Sequence, residues 1–163
     1  FLRISPNNKI PALVDRETGR AMMESGAILL YLAEKHGAFL GPDRWTTIEW
    51  LMWQMGGIGP FLGQAHHFLH FNPGRAPYAE ERYGREARRL YGVLDARLAG
   101  RDYVADAYSI ADIATWPWIS RFAWQGIDLA EFPRVRDWYL GIAGRAAARR
   151  GYGVPTAGEI PMP

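Results

Sequence analysis

Apolar residues recur at steps of three and four along most of the chain, and this spacing restricts the fold more than any other feature. Beyond Gly41-Pro42-Asp43, which has the composition of a linker, the helical period continues to about residue 150. It is clearest over 77–98, where one face carries Ala79, Tyr83, Ala87, Leu90, Tyr91, Leu94 and Leu98. Another helix is expected after Pro133, with Val135, Trp138, Tyr139 and Ile142 facing inward. Most of the chain is therefore predicted to be α-helical.

The first 40 residues follow a different pattern. An apolar run from Ile10 to Asp15, a turn ending at Gly19 and a second apolar run at 21–23 predict a small β-hairpin. A helix is expected next, with Ser25 as its N-cap and Gly37 as its C-terminal stop. The sequence therefore predicts a short strand–strand–helix unit before the helical part.

Three local signals modify the helical part. The run GGIGP at 56–60 is expected to kink or break the helix that begins near Trp45. Ser109 and Asp112 have the spacing of a capping box, which predicts a helix start. The segment 151–163 is rich in glycine and proline, so it is expected to be extended or disordered.

Composition excludes several function classes. The chain has no cysteine, which excludes disulfide scaffolds, cysteine-ligated metal centres and a protein thiolate nucleophile. A reactive sulfur, if there is one, must come from a ligand. The 163 residues carry a formal charge of only +2, with arginines interleaved with acidic residues, so nucleic-acid binding is not expected. No apolar run is long enough to span a membrane and no signal peptide is present, so a cytoplasmic location is expected.

A candidate binding site lies in two short motifs, SPNNKIPAL and the ESG that follows at 24–26. The Ile10–Pro11 bond can be cis, which exposes the main chain of Ile10 to an extended peptide. At the helix start, Ser25 favours a carboxylate and Glu24 can accept from an ammonium group. With Lys9 near a second carboxylate, these groups suit glutathione. The alternative is that Pro11 marks an edge strand, Ser25 caps a helix and Lys9 is solvated.

Histidine and tryptophan provide two further candidates. His66 and His70 are four residues apart and could share a helix face, but a zinc site needs a third ligand and the HExxH spacing is absent, so no metal is expected. The seven tryptophans mostly indicate helix packing. Those near Gly56-Gly57 can border an apolar pocket for a second substrate.

Four blocks together resemble the cytosolic glutathione transferases: SPNNKIPAL, ESGAILLYLAEKHG, SIAD followed by WPW, and FPRVRDWY. The stretch from WLMWQMGGIGPF to the ERY segment is similar to the bacterial nu-class, the branch related to a prion-forming nitrogen regulator. The resemblance implies a mostly α fold. It consists of the second half of a thioredoxin-like α/β domain at 1–40, an all-helical domain at 44–150 and an extended tail at 151–163.

The resemblance also implies roles for individual residues. Ile10 corresponds to the main-chain contact to the cysteinyl unit of glutathione, Glu24 and Ser25 to the pair that holds the γ-glutamyl end, and Lys9 lies near the glycyl carboxylate. Arg82, in the ERY segment, is implied to reach toward the same ligand, although it could instead be a surface arginine paired with Glu81 or Glu86. Family members carry a strand, helix and strand before SPNNKIPAL. The residue that stabilises the thiolate is therefore expected upstream of Phe1, and no catalytic residue is named.

The function implied by the resemblance is that of a glutathione-dependent transferase with disulfide reductase or peroxidase activity. Its partners are glutathione, as co-substrate, and a small electrophile or disulfide, and the chain is implied to form a homodimer. The other hypothesis is a non-catalytic module of the same fold that serves in binding or assembly.

Overall fold

The computed structural model describes all residues, Phe1–Pro163, and is mostly helical, as predicted. A single antiparallel hairpin, β1 (Ala12–Val14) and β2 (Ala21–Met23), precedes the helices. The seven α-helices are α1 (Ser25–His36), α2 (Arg44–Trp53), α3 (Gly59–Ala65), α4 (Pro77–Arg97), α5 (Ile110–Ile119), α6 (Pro133–Ala143) and α7 (Ala146–Tyr152). None of these helices combines the length and apolar character needed to cross a membrane.

The main core lies among the helices that follow the linker. The inward faces of α4 and α6 are those that their periodicity predicts, with Leu90 and Leu94 from α4 and Val135 and Tyr139 from α6 fully enclosed. A smaller cluster of Ala33, Leu51 and Ile110 joins α1 to α2 and α5. This second cluster fixes the strand–strand–helix unit against the helical part, and so positions the candidate binding residues.

At Gly56–Pro60, where a kink or a break was expected, no loop interrupts the helix. Instead, a π-helical turn at Gln54–Ile58 connects α2 to α3, and a second one at His66–Phe71 follows α3. The Gly59 N–H donates to the Gln54 carbonyl five residues earlier, and Pro60 has no backbone N–H that needs an acceptor. The wider turn therefore lets the helix continue past the proline, which the sequence interpretation did not consider.

The ends of several elements follow from local chemistry. Gly37 ends α1 in the left-handed conformation, as expected, and the capping box at the start of α5 is present. Helix α7 extends to Tyr152, two residues into the segment that was expected to be extended. Within the rest of that segment, which has no regular secondary structure, Ile160 packs against the core and the Tyr139 hydroxyl donates to the Pro161 carbonyl at 2.6 Å.

Candidate functional site

The hairpin register determines which of the candidate residues lie together. Ala12 pairs with Met23 at the open end of the hairpin, and just beyond this pair Pro11 and Ser25 line the same cavity. The Ile10–Pro11 peptide bond is cis, and Ile10 is 86% exposed. The exposed main chain before β1 and the first turn of α1 therefore meet at one end of the hairpin.

Ser25 does not have the capping role that the sequence suggested. Helix α1 begins at Ser25 itself, and Glu24 occupies the N-cap position without a side-chain capping hydrogen bond. Glu24 adopts a φ of 71°, in the left-handed region that is uncommon outside glycine. The Ser25 hydroxyl points toward Met55 in the first π-helical turn, with Oγ and Sδ 3.7 Å apart. Because the cap position carries no side-chain partner, the amide groups at the start of α1 are available to an anionic ligand.

The hairpin turn is attached to α1 by a buried carboxylate that the sequence interpretation did not single out. Asp15 accepts from Lys35 Nζ at 2.6 Å, from the Tyr31 hydroxyl at 2.5 Å and from the Glu17 amide at 2.9 Å. The Lys35 ammonium, followed by the Tyr31 hydroxyl and the Glu17 amide, holds the pKa of Asp15 well below its usual range. These bonds fix the angle between hairpin and helix, and thus the position of Ser25 relative to Ile10.

The two basic candidates are both exposed, and neither forms a salt bridge. Lys9 precedes the cis bond, and its carbonyl accepts from the buried Ser5 hydroxyl at 2.8 Å. Arg82 lies on α4 beside a cavity of about 510 Å³, which is also lined by Phe61, Tyr83, Arg85, Glu86 and Arg89. Arg82 is a surface arginine, as the alternative has it, but Glu81 forms its salt bridge with Arg85 and Glu86 with Arg89. Arg89, and then the charge of Arg82, contributes to the lowered pKa of Glu86.

A second cavity, of about 340 Å³, lies between the strand–strand–helix unit and the helical part. Its polar lining comes from Ser25 and Gln54, and its largest ring is Trp118 from the end of α5. The sequence interpretation did not identify Gln54, and it included Trp118 among the seven tryptophans without assigning it to a pocket. The only sequence feature that could have pointed to Gln54 is that it is the single polar side chain in the apolar run WLMWQMGGIG. Its position in the cavity wall depends on the π-helical turn that it begins.

His66 and His70 do not form a metal site. His66 is buried, and its Nε2 accepts from the Gln125 amide nitrogen at 2.8 Å, which requires a neutral ring. Gln125 also accepts from the Tyr91 hydroxyl at 2.6 Å, so these three side chains form one buried network. His70 is exposed and stacks on Trp124 at 4.4 Å. No group of three or more metal-ligating side chains is present in the chain.

The His66 network makes stability depend on pH. Burial, and then the charges of Arg121 and His70, lowers the pKa of His66 from 6.5 to about 4. Since the unfolded chain binds this proton more tightly, the free energy of unfolding is expected to rise by about 3 kcal/mol between pH 4 and 6.5. Urea denaturation at a series of pH values measures this slope. His66→Gln is expected to remove most of the slope, whereas His67→Gln, at an exposed site, retains it; equal slopes in the two variants would contradict the assignment.

Two family models match the chain. Residues 1–42 match the glutathione S-transferase N-terminal domain, and residues 58–146 match the glutathione S-transferase C-terminal domain. The second match alone covers more than half of the chain.

Individual proteins show the same similarity. The chain is 53% identical to the disulfide-bond oxidoreductase YfcG of Escherichia coli K12, over 90% of this chain and 73% of that protein. It is 44% identical to the disulfide-bond oxidoreductase YghU of the same strain, over 93% of this chain but only 57% of that protein. A Pseudomonas putida glutathione transferase, solved with one glutathione disulfide bound per subunit, superimposes with a TM-score of 0.87 and 42% identity. That superposition covers 95% of this chain and 74% of the other. The chain therefore belongs to the glutathione S-transferase family.

Proposed function

We propose that this chain binds glutathione where the hairpin meets α1, and that the bound thiol attacks an electrophile or a disulfide. The proposed activity is that of a glutathione-dependent transferase with disulfide reductase or peroxidase activity. The observation that supports the proposal is the cavity lined by both Pro11 and Ser25, which places the exposed Ile10, next to Pro11 in the chain, near the first turn of α1. The names of the two bacterial relatives, both disulfide-bond oxidoreductases, support the same reading.

Each part of glutathione has a proposed partner at this junction. The main chain of Ile10 pairs with the cysteinyl unit as an added strand would. The γ-glutamyl carboxylate accepts from the Ser25 amide and hydroxyl, where the dipole of the 12-residue α1 favours a negative charge. Glu24, exposed at the cap position, accepts from the γ-glutamyl ammonium.

The proposed cationic contacts are Lys9 and Arg82. Lys9 is one residue from the Ile10 contact and is assigned to the glycyl carboxylate. Arg82 forms no salt bridge within 4 Å, and its guanidinium is assigned to a carboxylate of the bound ligands. The assigned residues all position the ligand, and the group that stabilises the thiolate is not among them.

The proposed chemistry needs no protein thiol. The glutathione thiolate attacks one sulfur of a disulfide, a new S–S bond forms, and the other sulfur leaves as a thiolate that takes up a proton. A second glutathione then resolves the mixed disulfide to glutathione disulfide and releases the second thiol. This use of a ligand sulfur is compatible with a chain that contains no cysteine.

The activity is tested by disulfide reduction with glutathione as the only thiol. The expected result is consumption of a small aliphatic disulfide faster than in the protein-free reaction, with a rate that saturates in glutathione. Binding of glutathione without turnover would favour the non-catalytic module and overturn the enzyme proposal. Absence of both would overturn the glutathione proposal itself.

We further place the chain in the bacterial nu-class and propose a cytoplasmic homodimer. The similarity of the stretch from WLMWQMGGIGPF to the ERY segment supports the narrower branch. A cytoplasmic location is compatible with the activity, because glutathione keeps thiols reduced there.

An apolar surface on α2 supports self-association. Trp45 is 70% exposed and Met52 is 49% exposed, and their seven-residue spacing places both on one side of the helix. In sedimentation velocity, the chain is expected to be a dimer and the double variant Trp45→Arg, Met52→Arg a folded monomer. Tyr78→Arg, at a 75% exposed site on α4, is the matched control and should remain dimeric. A monomeric parent chain, or a dimeric double variant, would contradict this surface.

A further inference from the structure

The hydroxyl of Ser25, which the proposed function assigns to the γ-glutamyl carboxylate, has a single hydrogen-bond partner within the chain. It donates to the thioether of Met55, with Oγ and Sδ 3.7 Å apart. Met55 is half-buried and belongs to the first π-helical turn, Gln54–Ile58, a kind of turn that is frequent at functional sites. The helical part of the chain therefore contacts the start of α1 at the residue that is assigned to the ligand.

The residue after Ser25 allows Met55 to come this close. Gly26 is buried in the first turn of α1, and a Cβ there would lie 3.1 Å from both Cγ and Sδ of Met55. That distance is shorter than an ordinary van der Waals contact between side chains. Alanine would favour the helix more than glycine does, so the glycine is explained by the space that it leaves for the thioether.

The chemistry of the two groups makes this hydrogen bond easy to exchange. A thioether sulfur is only a weak acceptor, whereas a carboxylate accepts a charge-assisted bond that is roughly twice as strong as a neutral one. Methionine is also unbranched and adaptable, so it can fill its space whether or not the hydroxyl donates to it. Ser25 thus has a weak acceptor in the free chain, which a ligand carboxylate can replace.

We propose that Met55 is a positioning residue for glutathione. Its thioether holds Ser25 Oγ in one rotamer in the free chain, and the hydroxyl hydrogen turns to the γ-glutamyl carboxylate when the ligand binds. A serine side chain that is not held distributes among three staggered rotamers, so holding one of them lowers the entropic cost of binding. The inference deepens the proposed function and rests on it, because it needs the carboxylate beside Ser25.

Isothermal titration calorimetry with glutathione tests this role. Met55→Leu removes the acceptor at similar volume and is expected to weaken binding by about threefold, the number of rotamers released. Met55→Gln supplies a strong acceptor that competes with the carboxylate, and is expected to weaken binding by about tenfold. Met162→Leu, at a 64% exposed site, is the matched control and should bind as the parent chain does.

A double-mutant cycle separates positioning from a general effect on the fold. With Ser25→Ala already present, Met55→Leu should cause no further loss, because the hydroxyl through which Met55 acts is gone. The same threefold loss in both backgrounds would overturn the inference, and so would parent-like affinity in Met55→Leu or a Met55→Gln variant that binds no more weakly than Met55→Leu.

Methyl NMR of the chain labelled with [methyl-¹³C]methionine observes the contact itself. Of the five methionine signals, the one that disappears in Met55→Leu is expected to shift as glutathione saturates the chain, and the Met162 signal to stay in place. An unchanged Met55 signal at saturation would overturn this inference alone. If calorimetry shows no binding by the parent chain, the proposed function fails and the positioning role fails with it.

Discussion

We expect Asp112→Ala to lower the free energy of unfolding by about 4 kcal/mol, as measured by urea denaturation. Asp112 is fully buried and accepts from the Val104 amide at 3.0 Å, the Ser109 amide at 3.0 Å and the Trp138 indole at 2.8 Å. Removing the carboxylate therefore leaves donors from the loop before α5, the start of α5 and α6 without a partner. The loss exceeds that of an ordinary helix cap because these donors have no access to water.

Asp43→Ala is the matched control for this effect. Asp43 also caps a helix, accepting from the Trp45 amide at 3.0 Å and the Thr46 amide at 3.2 Å, but the site is exposed. Its loss is expected to cost about 1 kcal/mol. If the two variants lose equal stability, the capping box acts only locally and does not hold α5 and α6 together.

The second large effect is expected on ligand binding. Ser25→Ala and Glu24→Gln should each weaken glutathione binding by about tenfold to a hundredfold, because each removes a hydrogen bond to a charged group of the ligand. Isothermal titration calorimetry measures this change. Neither variant is expected to lose much stability, since Glu24 makes no capping bond and the Ser25 hydroxyl contacts only Met55.

Glu49→Gln provides the control for the change in charge. Glu49 is exposed on α2 and forms no salt bridge, so this variant alters the net charge as Glu24→Gln does without touching the proposed site. Its glutathione affinity is expected to equal that of the parent chain. Parent-like affinity in both Ser25→Ala and Glu24→Gln would contradict the assigned roles.

Periodicity and helix-end chemistry were sufficient to predict much of the fold. The inward faces of α4 and α6 follow from apolar residues at steps of three and four, because every buried helix face has this spacing. The capping box of α5 follows from Ser109 and Asp112, because the free amide groups at any helix start need acceptors. For the GGIGP run, the sequence predicted a kink or a break but not a π-helical turn, because local rules give only the cost of a proline in a helix. Whether a helix breaks or widens into a π-helical turn depends on how its neighbours pack.

The candidate site was predictable only in part. The motif around Ile10 and Ser25 could be identified from residue types, but its geometry depends on the hairpin register and on the Asp15 bonds to α1. The place of Gln54 in the cavity wall could not be predicted from the sequence, because it depends on how α1, the first π-helical turn and α5 pack around the cavity.

The central claim is that glutathione binds where the hairpin meets α1. It is tested most directly by titrating the ¹⁵N-labelled chain with glutathione and mapping the amide shifts by NMR. The account predicts saturable shifts at the amides of Ile10 and Ser25 and their neighbours, with the core amides of α4 and α6 unchanged. Shifts confined to other surfaces, or no shifts at saturating glutathione, would contradict it.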